Sequence, residues 1–92
     1  NGGNEGNEEL TVPTISNFPN LFKSIDEVSF TLTAPTSNSN GSFTYSTSNP
    51  DIAMIFGNEV YIFDSGFVDI TATQEPFGEF AGGSITASLF II

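Results

Sequence analysis

The chain has 92 residues, no cysteine and no histidine, and its eleven acidic residues outnumber a single base, Lys23, giving a net charge of −10. This length suffices for one domain, and the absence of cysteine excludes disulfides and thiolate chemistry. The negative charge argues against nucleic-acid and membrane-surface partners. No run of 18 apolar residues is present, so we expect no membrane insertion.

The first nine residues are only Asn, Gly and Glu. Because such a composition cannot bury apolar surface, the sequence predicts a flexible acidic tail or linker over residues 1–9 and a single domain over residues 10–92. Three acids lie in the tail, which leaves eight acids and one base, a net −7, in the domain. The chain begins with Asn rather than Met, so we expect a processed form or an excised piece.

Three strands are predicted in the first half of the domain. The first begins at Leu10 and is interrupted by Pro13, because a proline inside a strand points to an edge or a bulge. The second, residues 28–33, alternates apolar and polar residues cleanly. The third, residues 43–48, follows a polar loop in which Asn40-Gly41 predicts a turn.

Four more strands are predicted in the second half. Residues 52–56 and 60–63 flank Gly57-Asn58, the two-residue spacing of a hairpin with a primed turn. Residues 67–73 and 84–92 alternate apolar and polar side chains, as residues 28–33 do. The residues between these two strands, from Gln74 to Gly83, are predicted to form a long loop.

Seven short strands with no helical periodicity predict an all-β fold, a seven-stranded antiparallel immunoglobulin-like β-sandwich with Greek-key connections. Ten Phe and two Tyr are expected to supply much of its core. The aromatic residues placed in strands and predicted to point inward are Phe30, Phe43, Tyr45 and Phe63.

The residues needed for catalysis are missing from the sequence. Without His, Cys or Arg, the chain has no base suited to proton transfer near neutral pH, so we expect no enzyme and no catalytic residue. The carboxylates Asp64 and Asp69 are the nearest candidates for the paired acids of a glycosidase, and they are interpreted as solvated charges at strand ends. Two groups could offer oxygen ligands to calcium, Asp64-Ser65-Asp69 and Asp26-Glu27, but neither has the spacing of a calcium loop. No phosphate-binding glycine loop is present either, so we expect no metal and no cofactor.

Four segments follow one another in the order of a known family. They are Thr33–Gly41, Tyr45–Asn49, Gly66–Gln74 and Phe80–Ala87. In this order the chain resembles the bacterial immunoglobulin-like (BIG2-type) domain of bacterial surface proteins and phage virion proteins, although Tyr45 stands where many members have Trp. The resemblance implies an immunoglobulin-like fold and a setting outside the cytoplasm, and it names no ligand.

We therefore expect a non-catalytic structural or adhesion module, extracellular or on the cell surface, that contacts other protein subunits, either homotypically or in a larger assembly. Open sheet edges would offer backbone groups for such contacts. A bacteriophage virion structural or decoration protein and a carbohydrate-binding module that takes a glycan remain alternatives. The predicted contact residues are Phe67, which follows a turn glycine, and Phe77 and Phe80 in the loop before the last strand.

Overall fold

The computed structural model describes residues 9–92, and the predicted tail lies outside this range apart from Glu9. The described chain is all-β and contains nine strands and no helix. They are β1 (Ile15–Ser16), β2 (Leu21–Lys23), β3 (Ser29–Thr31), β4 (Thr36–Ser37), β5 (Phe43–Thr47), β6 (Ala53–Phe56), β7 (Glu59–Ile62), β8 (Gly66–Gln74) and β9 (Gly83–Ile91).

A search of residues 9–92 finds no helix long and apolar enough to cross a bilayer. The strands form a four-stranded sheet in the order β2-β9-β8-β5, a three-stranded sheet in the order β3-β7-β6, and the short pair β1-β4. Each pairing between these strands is antiparallel except that of β2 with β9, which is parallel. The prediction of a wholly antiparallel fold is therefore wrong for β2, which runs beside a strand from the far end of the domain.

The core lies between the two larger sheets. One contact cluster joins buried aliphatic side chains from β6 and β7 of one sheet and from β8 and β9 of the other, and its members are Leu32, Ala53, Val60, Ile62, Val68, Ile70, Leu89 and Ile91. Because apolar side chains from both sheets meet in this cluster, the sheets pack face to face as two layers, the arrangement of a β-sandwich.

The aromatic side chains lie around this core rather than inside it. All twelve fall within the described residues and none is fully buried. Phe30 and Tyr45 pack against the core from its rim, and Phe43 is half-buried. The prediction for Phe63 is wrong, because its side chain is 57% exposed. Since Ile62 points inward at the end of β7, strand alternation places the next residue on the outer side.

The two predicted turns have different outcomes. The hairpin between β6 and β7 is confirmed, with Phe56 opposite Glu59 across Gly57-Asn58. Gly57 has a φ of 61°, the left-handed value that the first position of a type II′ turn requires. At Asn40-Gly41 no hairpin forms, because β4 and β5 do not pair with each other. Gly41 instead allows a close backbone approach, since a Cβ there would collide with the Glu75 carbonyl oxygen.

Only part of the predicted first strand is a strand. Pro13 is buried and contacts the backbone position of Gly83, while Leu10 and Val12 are exposed. Thr11 forms a parallel bridge with Phe80. Together with β2, this segment therefore covers the edge of β9 that would otherwise be open.

Gln74 ends β8 rather than opening a loop, and its side chain is only 1% exposed. Its Oε1 accepts a hydrogen bond from Ser37 Oγ at 2.6 Å, and its Nε2 donates to the carbonyl oxygens of Ser39 at 3.0 Å and Gly41 at 2.9 Å. A buried amide is stable only when its polar atoms are paired. These bonds hold the loop between β4 and β5 against the end of β8.

Candidate contact surface

Three phenylalanines lie side by side on the outer face of the four-stranded sheet. Phe22 of β2, Phe90 of β9 and Phe67 of β8 are direct neighbours in register. The ring centroids of Phe22 and Phe90 are 5.1 Å apart with planes inclined by 11°, and those of Phe90 and Phe67 are 6.0 Å apart with planes inclined by 28°. We call these three residues the phenylalanine row.

Strand alternation turns the row away from the core. Val68, which follows Phe67, is buried, and so are Leu89 and Ile91 on either side of Phe90. The two outer rings of the row remain largely open, with Phe22 74% and Phe67 63% exposed. Scattered exposed apolar side chains are ordinary, whereas a contiguous group of large ones marks a contact surface.

The positions around the row are polar but almost uncharged. The outward positions of β5, β8 and β9 are otherwise hydroxyl-bearing, apart from one carboxylate, and comprise Thr44, Ser46, Asp69, Thr71, Thr73, Ser84, Thr86 and Ser88. We call these residues and the phenylalanine row together the outer sheet face. Asp69 Oδ1 accepts a hydrogen bond from Ser88 Oγ at 3.1 Å, and the hydroxyls of Thr71 and Thr86 lie 3.0 Å apart.

Lys23 is in β2 but does not reach this face. It follows Phe22, so alternation directs it to the opposite side, where its Nζ lies 4.6 Å from the centroid of the Phe30 ring. The same Nζ is 3.8 Å from Glu27 Oε1. The outer sheet face therefore carries no basic side chain.

The predicted contact residues do not form one site. Phe67 belongs to the phenylalanine row, whereas Phe77 and Phe80 lie in the loop that joins the other ends of β8 and β9. Strands of this length separate the two places by about 25 Å. Phe77 is 52% exposed and Phe80 is half-buried.

Phe77 and Phe80 close a small hairpin of their own. Each backbone N–H donates to the carbonyl oxygen of the other residue, at 3.0 and 2.9 Å. Gly78 between them has a φ of 60°, which a glycine adopts without strain. The hairpin accounts for the spacing of the two aromatic residues, and it leaves Phe77 as the more accessible one.

Two members of the row were not among the predicted contact residues. The alternation of the last strand already placed Phe90 on the same side as Thr86 and Ser88, which was a usable signal. Phe22 lay in a connector with no assigned strand, so nothing in the sequence aligned it with the other two. The row appears only when three strands are brought into register.

A second group of exposed aromatic residues lies on the outer face of the three-stranded sheet. Phe56 and Tyr61 meet edge to face, with ring centroids 5.7 Å apart and planes inclined by 73°. Phe56 is 62% exposed. Glu59 lies beside this group and accepts a hydrogen bond from Thr31 Oγ1 at 2.7 Å. This face therefore combines its aromatic residues with a carboxylate at the hairpin.

Two clefts open between the sheets at the sides of the sandwich. One, of about 320 Å³, is lined chiefly by Phe18, Leu21, Phe30 and Leu32 together with Lys23. The other, of about 670 Å³, is lined by Ala34, Ser42, Phe43, Thr44, Tyr45, Gly57 and Asn58. Neither of these clefts brings two titratable side chains together.

Tyr45 is the titratable side chain of the larger cleft. Burial raises the pKa of its phenol, so the group is protonated at neutral pH and acts as a hydrogen-bond donor or acceptor rather than as a base. Its ring stacks on Phe18 with centroids 6.3 Å apart. The arrangement is that of a residue packed at the rim of the core.

Among the carboxylates considered for metal binding, Asp64 and Glu27 accept local hydrogen bonds from the backbone. Asp64 Oδ1 accepts from the Ser65 N–H at 2.8 Å, and Glu27 Oε2 accepts from the Ser24 N–H at 3.1 Å. Within residues 9–92, no three or more acidic side chains are grouped so as to hold a metal ion.

Comparison of the sequence with protein-family models and with curated proteins gave no match.

Proposed function

We propose that the chain is a non-catalytic immunoglobulin-like module that works outside the cytoplasm. In this role it is a building or adhesion unit of a surface protein or filament, and it binds other protein subunits. The BIG2-type resemblance is part of this proposal. It is the source of the extracellular or cell-surface setting.

The strand order supports an immunoglobulin-like Greek key. Without the short β1-β4 pair, seven strands remain, in sheets of three and four. Hairpins join β6 to β7 and β8 to β9 within their sheets, while the chain crosses between the two larger sheets after β2, β3, β5 and β7. Antiparallel sandwiches of the immunoglobulin type combine such hairpins and crossings.

The observation that carries the proposed contact role is the exposed phenylalanine row. Interface cores are rich in aromatic side chains and poor in charged ones, and the outer sheet face has both properties. It spans four strands and therefore offers a broad contact surface. This composition favours a protein partner.

The geometry of the rings limits the carbohydrate-binding alternative to the two ends of the row. A sugar ring packs on an open aromatic face, and Phe90 has none, because Phe22 is stacked on one side of it and Phe67 on the other. A phage virion protein would use the same contact surface in a different particle. That alternative is therefore distinguished from the cell-surface role by where the protein is found, not by the chemistry of its surface.

The proposal is tested by locating the native chain and its neighbours. An antibody against the purified chain would be applied to intact and lysed cells of the source organism and to any phage particles it releases. A photo-reactive phenylalanine analogue would replace Phe22, with the same replacement at Phe77 as the control site.

We expect antibody labelling of intact cells and protein crosslinks from position 22. Labelling confined to phage particles would support the virion alternative. Labelling only after lysis, or turnover of a substrate by the purified chain, would contradict the proposal.

A further inference from the structure

We infer that the outer sheet face is a homotypic contact, on which a second copy of this chain docks face to face about a two-fold axis. The inference rests on the proposed function and names the partner. Three properties of the face support it: its charge, its chemical symmetry and its size.

The outer sheet face is suited to self-contact because it holds few of the chain's acidic residues. Two copies with a net charge of −10 each repel one another. Of the acids of the described chain, Asp69 alone occupies an outward strand position of the face. Glu75 lies just beyond the end of β8, and the others are in turns, in loops or on the other sheet, namely Glu9, Asp26, Glu27, Asp51, Glu59, Asp64 and Glu79. A face-to-face approach therefore brings together fewer like charges than approaches that use the turns.

The same distribution argues against a cationic partner at this face. A surface rich in Lys or Arg would be attracted most strongly to the turns and strand ends, because most of the carboxylates lie there. On the outer sheet face it would meet Asp69 alone. A neutral surface with aromatic and hydroxyl groups fits better, and another copy of the face is such a surface.

The chemistry of the face is self-complementary. In a two-fold contact, the same patch is used by both copies, so each kind of group must be able to pair with the groups of its own patch. Serine and threonine hydroxyls both donate and accept hydrogen bonds, and phenylalanine rings pack on one another. A face rich in carboxylates would lack this property.

The size of the face indicates a weak dimer. The two central strands extend about 30 Å, whereas β5 and β2 extend only about 17 and 10 Å, so at a strand spacing of about 4.8 Å the face has an area of roughly 400 Å². Contact between two such faces would bury about 800 Å² in total, which is the size of a weak, transient interface. We therefore expect an association that depends on concentration in solution and that a repeating array would strengthen.

Sedimentation equilibrium of the full chain at several concentrations and salt levels tests the inference. We expect a reversible monomer–dimer equilibrium that becomes several-fold tighter between about 0.02 M and 0.5 M NaCl, because salt screens the repulsion between the copies. A monomer at about 1 mM chain in 0.5 M NaCl would overturn the inference. The proposed function would stand or fall separately, on labelling and crosslinking in cells.

Substitutions identify the face. Phe67→Ser is expected to weaken the dimer at least about tenfold, whereas Phe56→Ser, which removes an equally exposed ring from the opposite outer face, leaves its Kd within twofold. Thr73→Glu keeps the phenylalanine row intact and adds a charge to each copy, so it should also weaken the dimer about tenfold. Weakening by Phe56→Ser alone would overturn the inference.

Asp69→Asn is expected to strengthen the dimer rather than weaken it. It removes the carboxylate of the face while leaving an acceptor for Ser88 Oγ, so we expect a dimer several-fold tighter. Asp64→Asn changes the net charge equally at a turn away from the face and should have less than half that effect. Equal effects of the two substitutions would mean that net charge alone controls association, and this result would overturn the face-to-face contact.

Discussion

The two faces of the four-stranded sheet are made by the same strands and have opposite characters. Inner positions of β8 and β9 carry buried aliphatic side chains such as Ile70 and Leu89, whereas the outer positions carry hydroxyls and exposed phenylalanines. Because neighbouring residues of a strand point to opposite faces, one segment can specify a core and a contact surface independently. Apolar side chains therefore have two roles in this chain: aliphatic ones form the core, and exposed phenylalanines form the contact surface.

Branched aliphatic residues suit the inner face because they pack closely between two pleated layers. The phenylalanines lie at the rim of the core or outside it. We therefore expect substitutions on the inner face to change the free energy of unfolding, and substitutions on the outer face to change association. The following predictions test this division.

The largest effect is expected for Ile70→Ala, which removes a fully buried side chain from the core. Cavities of this kind cost about 2–5 kcal/mol in the free energy of unfolding. Thr71→Ala, one residue further along β8 on the outer face, is the matched control and should cost less than about 1 kcal/mol. Urea denaturation monitored by circular dichroism measures both. Equal losses of stability in the two variants would show that the inner side chains of β8 do not form the core.

The next effect is expected for Gln74→Leu. The change leaves the carbonyl oxygens of Ser39 and Gly41 without the side-chain donor, which costs about 1–3 kcal/mol in the free energy of unfolding. Glu75→Gln, the exposed neighbouring position, should change it by no more than about 0.5 kcal/mol. If Gln74→Leu were neutral in urea denaturation, the buried amide would not anchor the loop between β4 and β5.

A smaller effect on folding is expected for Phe22→Ser. Its ring is exposed and contributes through cross-strand stacking on Phe90, which is worth about 0.5–1.5 kcal/mol. Denaturation at a chain concentration below the dimer Kd isolates this contribution. A loss as large as that of Ile70→Ala would mean that the phenylalanine row is part of the folding core.

The smallest expected effect is a loss of folding stability at alkaline pH that depends on Tyr45. Burial raises the pKa of Tyr45, so above about pH 10 the folded chain retains a proton that the unfolded chain has lost. Stability is therefore full below the unfolded pKa and falls as the pH rises through the folded pKa. Tyr45→Phe should flatten this decline in denaturation midpoints measured from pH 9 to 11.5, and Tyr61→Phe should retain it. An unchanged decline in Tyr45→Phe would contradict the assignment.

Local patterns were sufficient to predict the all-β character and the positions of most strands. Alternation located β5 to β9 to within one or two residues, because the signal of a strand lies in its own sequence. Parallel pairing of β2 with β9 was not predictable, since it depends on a register between distant segments. Gln74 was assigned to a loop for the same reason: it is polar, and its partners Ser39 and Gly41 lie more than thirty residues away.

The candidate site was predicted in part. Phe67 was identified because it follows a turn glycine. The row that contains it exists only after β2, β9 and β8 are aligned, so Phe22 and Phe90 were missed as contact residues. Phe77 is accessible, but its loop is at the other end of β8.

The most direct test of the division between the two faces is one variant measured in two ways. The double substitution Phe22→Ser and Phe67→Ser would be studied by urea denaturation below the dimer Kd and by sedimentation equilibrium above it. We predict a loss of no more than about 2 kcal/mol in the free energy of unfolding, with the dimer weakened beyond detection. A chain that loses as much stability as Ile70→Ala while its self-association is unchanged would contradict the account.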